Sequence, residues 1–335
     1  MKLFKLLIIV LIIFLINCNT YQVISEQQWQ IDKKIIPTKI GNFSLKKFSV
    51  KDSQGAVVLF DPIFIRKENL YPSSDFPVIP SDRTYLSTYT IYKEVYFPSK
   101  NRGTLIPYLN NRGYTVYLIS PESIATFSLK KSGTEALREI LTEIEKNESS
   151  IILGGVSLGG QAIAHYLSSG NISPKIQKVF FLGTGLDYKY SGSLVNQFEK
   201  VSKKDENYLC KISEKDNFCN RFVTSLAIEK NHPRRALTYP NVLPALEKDP
   251  LQFNEMTNQN LHILVVYGKL DGVSPEEAVL APFFKGWGKD FSLSYFEAST
   301  ASALGHDYDH FDLFYHPHAQ KEIYSVIANW IHKKK

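Results

Sequence analysis

Cysteine is scarce, charge of either sign is nowhere massed, and no apolar run reaches the length of a bilayer-spanning helix. The chain has three cysteines in 335 residues. Cys18 closes an N-terminal apolar run, while Cys210 and Cys219 share one polar stretch. No histidine stands at ligand spacing around that pair, which argues against a structural metal site. The formal net charge is +6 and scattered, with a tight run only at Lys333, Lys334 and Lys335. Such a pattern is a solvated surface and not a nucleic-acid footprint, so no nucleic-acid partner is expected. The longest uninterrupted apolar stretch, residues 6–16, is short for a membrane span.

What that stretch does resemble is the h-region of an export signal, preceded by Lys2 and Lys5 and stopped at Asn17-Cys18-Asn19-Thr20. Leu15-Ile16-Asn17-Cys18 resembles a bacterial lipobox, with Asn17 in place of the usual small residue. It implies removal of residues 1–17 and lipidation of Cys18. The expected location is therefore a membrane-anchored lipoprotein, periplasmic or at the cell surface. Ordinary cleaved secretion and an uncleaved anchor are the alternatives. In an oxidising compartment Cys210 and Cys219 could form a disulfide, with two free thiols as the other reading.

Residues 18–39 are polar and read as a tether, and residues 40–335 as one large α/β domain, since 44% hydrophobic content suffices for a sizeable core. Short apolar runs rich in β-branched and aromatic residues recur at 56–60, 114–119, 151–153, 178–182 and 263–267. Runs of this kind are buried on both faces. Helical patterns at 104–112, 134–147 and after residue 157 separate several of them, which predicts a mostly parallel sheet covered on both sides. The alternation lapses over about 188–260, which is rich in lysine, asparagine and proline and reads as an inserted cap or lid. A final helix is predicted from the stripe Ile323, Val326, Ile327, Trp330 and Ile331.

The most informative stretch is residues 151–160, Ile-Ile-Leu-Gly-Gly-Val-Ser-Leu-Gly-Gly. It reads as a buried strand entering a nucleophile elbow of the G-x-S-x-G type, with Ser157 at the turn. Glycines are needed there because the departing helix passes close to the strand. Leu137, Ile140, Leu141 and Ile144 form a helical face before it, and Ala162, Ile163, Tyr166 and Leu167 one after it, with Gly170 as the stop. A serine hydroxyl needs a histidine to take its proton and a carboxylate to orient the resulting imidazolium. Asp271, just past the strand at 263–267, stands where catalytic residues of open parallel sheets gather. Two histidines compete for the base: His306, preceded by Gly305, and His310, in His-Phe-Asp-Leu before the last helix. His310 is preferred, with Asp312 orienting its loop and His316 and His318 at the surface.

With these residues the chain resembles the α/β-hydrolase superfamily, in particular its lipase-like and esterase-like members and, more distantly, the poly(hydroxyalkanoate) synthases. Residues 183–188, Gly-Thr-Gly-Leu-Asp-Tyr, resemble the loop after the sixth strand, and residues 268–275 the acid loop. The segment from His310 to Trp330 resembles the histidine loop and closing helix. The resemblance implies a Ser157, His310, Asp271 triad forming an acyl-enzyme, with no metal or organic cofactor. The substrate implied is a small-molecule or lipid ester. It also implies an oxyanion hole from two backbone amides, one of them that of Leu158. Relatives carry a His-Gly pair for the other, where this chain has Asp61-Pro62-Ile63-Phe64. Pro62 has no N–H, so Ile63 is the positional candidate and Phe64 its substitute. Synthases use a cysteine where Ser157 stands, which favours hydrolysis over polymerisation. An acyltransferase, or a surface lipoprotein that keeps the fold only as a binding module, are the alternatives.

Overall fold

A computed structural model of the chain describes residues 31–60, 105–123, 128–187, 251, 261–272, 274–287, 291–308, 310, 312–316 and 318–333. The predicted signal at 1–17, Cys18, Cys210, Cys219 and Ile63 lie outside the described residues, as does the whole expected cap except Leu251. Among the described residues no helix is long and apolar enough to cross a membrane.

Among the described residues eight strands form one sheet. They are β1 (Ile31–Thr38), β2 (Gly41–Phe48), β3 (Ala56–Phe60), β4 (Thr115–Ser123), β5 (Ile151–Val156), β6 (Ile176–Leu182), β7 (His262–Gly268) and β8 (Ser292–Ala298). Their spatial order is β1-β2-β4-β3-β5-β6-β7-β8. The β1/β2 and β2/β4 pairs are antiparallel and every other pair is parallel. The chain leaves β3 toward β4 on one side and later returns to build β5 on the other. The crevice beyond the β3 and β5 ends is thus a topological switch point, where ligands of open parallel sheets bind.

The strands read from apolar runs are present, and their alternation divides the core. Val57, Leu59, Phe180, Leu182, Leu264 and Val266 face one side. They pack with α1 (Leu105–Asn110), α6 (Asp312–Tyr315) and α7 (Ser325–His332). Val58, Phe60, Leu153, Val179, Phe181, Ile263 and Val265 face the other. There they meet α3 (Arg138–Ile144), α4 (Gly159–Ser168) and α5 (Glu276–Phe284). Residues i and i+2 share a face because side chains alternate along a strand. Each fully buried aliphatic or phenyl group contributes about 1.5–3 kcal/mol by leaving water.

Three strands were not anticipated, and one of them falls within the stretch read as a tether. The stretch read as tether up to residue 39 contains β1, which joins β2 through the turn between Thr38 and Gly41. Thr38 Oγ1 donates to the Gly41 carbonyl at 2.7 Å across that turn. β1 is an edge strand exposed along most of its length, so its pairing rests on backbone bonds and needs no apolar alternation. The helix expected at 134–147 starts earlier. α2 (Leu129–Lys131), with Ser128 capping the Lys131 amide, passes through a π-helical turn (Ser132–Leu137) into α3. Leu137, Ile140, Leu141 and Ile144 are buried as their spacing requires.

Candidate active site

β5 ends at Val156 and α4 begins at Gly159, leaving Ser157 on a two-residue turn between them. Ser157 has φ +47°, a left-handed conformation that side chains other than glycine rarely adopt. Its amide extends the ladder by donating to the Leu182 carbonyl at 2.9 Å, and its carbonyl accepts from the Gly160 amide at 3.0 Å. The predicted close approach is made by Gly155 and Gly160. A Cβ on Gly155 would lie 2.6 Å from the Cα of Gly160, so neither the strand nor the helix tolerates a side chain there.

The neighbouring strand ends bring the other groups to the same place. Val156 pairs with Leu182 and Leu182 with Val266. Ser157, Gly183 and the turn after Gly268 therefore leave the sheet side by side. In that turn the Leu270 amide donates to the Tyr308 carbonyl at 2.8 Å, fastening the acid loop to the histidine loop. Oδ1 of Asp271 accepts from the Ser274 amide at 2.7 Å, just ahead of α5. The aspartate thus organises a turn with one oxygen and has the other available for the histidine.

Oδ2 of Asp271 lies 2.8 Å from His310 Nδ1, and His310 Nε2 lies 3.0 Å from Ser157 Oγ. Ser157, Asp271 and His310 are all buried, at 4%, 3% and 2% of full exposure. With the Nδ1 hydrogen donated to the carboxylate, Nε2 carries the lone pair that accepts the serine hydroxyl. The ring is held from two directions. Phe314 meets it edge to face at 5.8 Å between centroids. Gly183, at φ +58°, lies close on another side, where an added Cβ would come within 3.3 Å of His310 Cε1.

Of the two histidine candidates only His310 enters this array. His306 is stacked on Tyr308 at 4.0 Å and packed against His316 at 3.8 Å, centroid to centroid. His316 is half-buried and His318 exposed. Asp312 is buried at the start of α6, beside the histidine loop. Two tyrosines bracket this loop: the Tyr308 hydroxyl donates to Glu322 at 2.5 Å, and the Tyr324 hydroxyl to the Phe314 carbonyl at 3.0 Å. Burial, followed by the bond to Glu322 and its charge, pushes the Tyr308 phenol above its ordinary pKa and keeps it a neutral donor.

Leu158, first after the serine, precedes the first turn of α4, where backbone amides have no partner within the helix. The chain leaves β3 at Phe60, which pairs with Gly155 of β5. Ile63, the other candidate donor, lies outside the described residues. Among the described residues, no group of three or more His, Cys, Asp or Glu side chains is arranged to hold a metal ion.

Sequence reasoning missed three polar side chains around the array. Thr184 Oγ1 donates to the Ser157 carbonyl, Ser274 Oγ to the Gly183 carbonyl, and Gln161 Nε2 to the Gly185 carbonyl. In the sequence residues 183–185 read only as a loop. Nothing local in Gly-Thr-Gly indicates where a threonine hydroxyl will point.

No family model matches the sequence, and no curated protein is significantly similar to it. Solved structures do match. An esterase from Exiguobacterium antarcticum superposes with a TM-score of 0.53 at 12% identity, over 90% of this chain and 100% of that one. A serine hydrolase from Cycloclasticus zankles gives 0.54 at 12%, over 90% and 98%. Homoserine O-acetyltransferase from Staphylococcus aureus gives 0.55 at 12%, over 92% and 96%. At such identities the likeness is one of fold. Together with the strand order and the flanking helices it defines an α/β-hydrolase fold.

Proposed function

We propose that the protein is a serine ester hydrolase working through an acyl-enzyme. The observation that carries this reading is the buried series Ser157 Oγ, His310 Nε2 at 3.0 Å, and His310 Nδ1 to Asp271 Oδ2 at 2.8 Å. Ser157 Oγ attacks the acyl carbonyl while His310 Nε2 takes its proton, and Asp271 stabilises the imidazolium. The oxyanion is met by the Leu158 amide and by that of Ile63. Collapse breaks the ester C–O bond, and the alcohol leaves with the proton from His310. Water then repeats the sequence in reverse, releasing the carboxylic acid and restoring the serine. An alcohol or thiol acceptor in place of water would make the same site an acyltransferase.

The substrate class is a small-molecule or lipid ester. In the same reading the signal ends before Cys18, which carries lipid and holds the domain to a membrane outside the cytoplasm. Its basis is the run at 6–16 and the lipobox-like Leu15-Ile16-Asn17-Cys18.

A fluorophosphonate probe tests the mechanism. Wild type should label covalently, and Ser157→Ala should not. A folded wild type that stays unlabelled, or a Ser157→Ala protein labelled equally, would overturn it in favour of a binding module. Hydrolysis of an ester panel of graded acyl length then reads the substrate preference.

A further inference from the structure

We infer that Thr184 is the positioning residue for Ser157, an inference that rests on reading Ser157 as the nucleophile. A side-chain-bearing residue at φ +47° holds that conformation only where its surroundings over-determine it. Two of the constraints are backbone bonds, to the Leu182 carbonyl and from the Gly160 amide. The third is the Thr184 hydroxyl. Its Oγ1 lies 2.9 Å from the Ser157 carbonyl and 3.2 Å from the Gly155 carbonyl. One hydrogen is thus shared between the last turns of β5 and the strained residue itself.

Thr184 is fully buried, so no bulk water can replace its hydroxyl. It also has no room to turn away: a Cβ on Gly160 would come within 2.2 Å of Oγ1 and 2.5 Å of Cγ2. The side chain is wedged between the elbow and the first turn of α4. Its loop is fixed in turn. Ser274 Oγ holds the Gly183 carbonyl at 3.1 Å, and the Gly183 amide donates to Val266 at 2.9 Å. The Leu186 amide donates to the Ala278 carbonyl of α5 at 2.8 Å. A hydroxyl anchored this firmly holds the Ser157 carbonyl in place, and with it the left-handed backbone from which the side chain reaches His310. Thr184 touches neither substrate nor any reacting atom, and acts through Ser157.

The test compares Thr184→Val, of matching shape but without the hydroxyl, with Thr184→Ser, which keeps it. The rate constant of fluorophosphonate labelling is measured on the full-length chain. An unfolded fraction lowers the labelling plateau but leaves that rate constant unchanged. Thr184→Val should label about 10- to 100-fold more slowly, the usual result of displacing a reacting group by a fraction of an ångström to an ångström. Its loss with an ester should fall on kcat and leave KM nearly unchanged. Thr184→Ser should stay within a few-fold of wild type. Equal rate constants for Thr184→Val and wild type would overturn the inference and leave the hydrolase reading intact, whereas an unlabelled wild type would overturn the hydrolase reading itself. Failure of both Thr184→Val and Thr184→Ala to fold, with Thr184→Ser folded and reactive, would assign the hydroxyl to stability and overturn the inference.

Discussion

The backbone amide of Ser274 donates to Oδ1 of Asp271 at 2.7 Å, so the carboxylate that faces His310 is gripped from its far side by the turn that leads into α5. An aspartate in a turn before a helix usually does no more than cap it. Here the bond closes the turn ahead of the helix and leaves Oδ2 aimed at the imidazole, so one residue serves both purposes. Asp271→Asn should retain the turn and the fold but present an amide where His310 Nδ1–H needs an acceptor. The wrong tautomer then faces Ser157, and ester kcat should fall on the order of 10³–10⁴-fold, as in the serine protease triad. Steady-state kinetics beside a thermal melt would check this, and a loss under tenfold would contradict the role of Asp271.

Exchange at the two histidines should give opposite results. His310→Ala removes the proton acceptor 3.0 Å from Ser157 Oγ, and probe labelling should become undetectable on the wild-type timescale. His306→Phe keeps a ring stacked on Tyr308 and should label within a few-fold of wild type. The reverse pattern, with labelling surviving at position 310 and lost at 306, would reassign the base.

Gly183 offers a separate test of how tightly the imidazole is held. In Gly183→Ala the new Cβ meets Leu313 Cδ1 at 3.1 Å and the His310 ring at 3.3–3.4 Å, at a residue with φ +58°. The left-handed conformation alone costs about 1–2 kcal/mol for an L-residue. The melting temperature should drop modestly, while kcat drops more than tenfold because the added methyl pushes the ring out of line. Comparing the melt with the kinetics separates the two effects.

A dependence on pH is expected at the sheet edge. Side-chain hydrogen bonds from Lys146 of the turn after α3 and Lys34 of β1 hold the Glu143 carboxyl down at about 2, against an ordinary value of 4.5. A depressed folded-state pKa gives stability that is fully present above the unfolded value and disappears as pH falls toward the folded one. The melting difference between wild type and Glu143→Gln should therefore be constant from pH 8 to about 6 and shrink steadily below about 4.5. It should be small throughout, since both ion pairs are exposed and screened. A difference that grows on acidification would contradict the sign.

The strands legible in the sequence were those whose side chains mostly leave water. β3 and β5 are buried at every position, so their composition announces them without alternation. β8, with the pattern Ser-Leu-Ser-Tyr-Phe-Glu-Ala, is only partly covered at the edge of the sheet, and β2 carries Lys46 and Lys47. Their apolar signal is diluted, and they are strands because a neighbour offers backbone partners. The π-helical turn at Ser132–Leu137 was equally hidden. Gly133 sits there against α4, where a Cβ would fall 2.1 Å from the Ala162 carbonyl, a constraint that belongs to the crossing of two helices.

What the sequence determined by itself is what contiguous residues decide among themselves: the buried strand, the glycines that admit the returning helix, the serine on the turn between them, and the aspartate in a turn before α5. Only the tertiary structure decided which histidine meets Ser157, and that Thr184, Ser274 and Gly183 support the array. The reason is register. Val156, Leu182 and Val266 stand abreast in three parallel strands, so loops far apart in the chain leave the sheet at one point. There the stacking of His306 on Tyr308 and its packing against His316 leave His310 as the ring between Asp271 and Ser157.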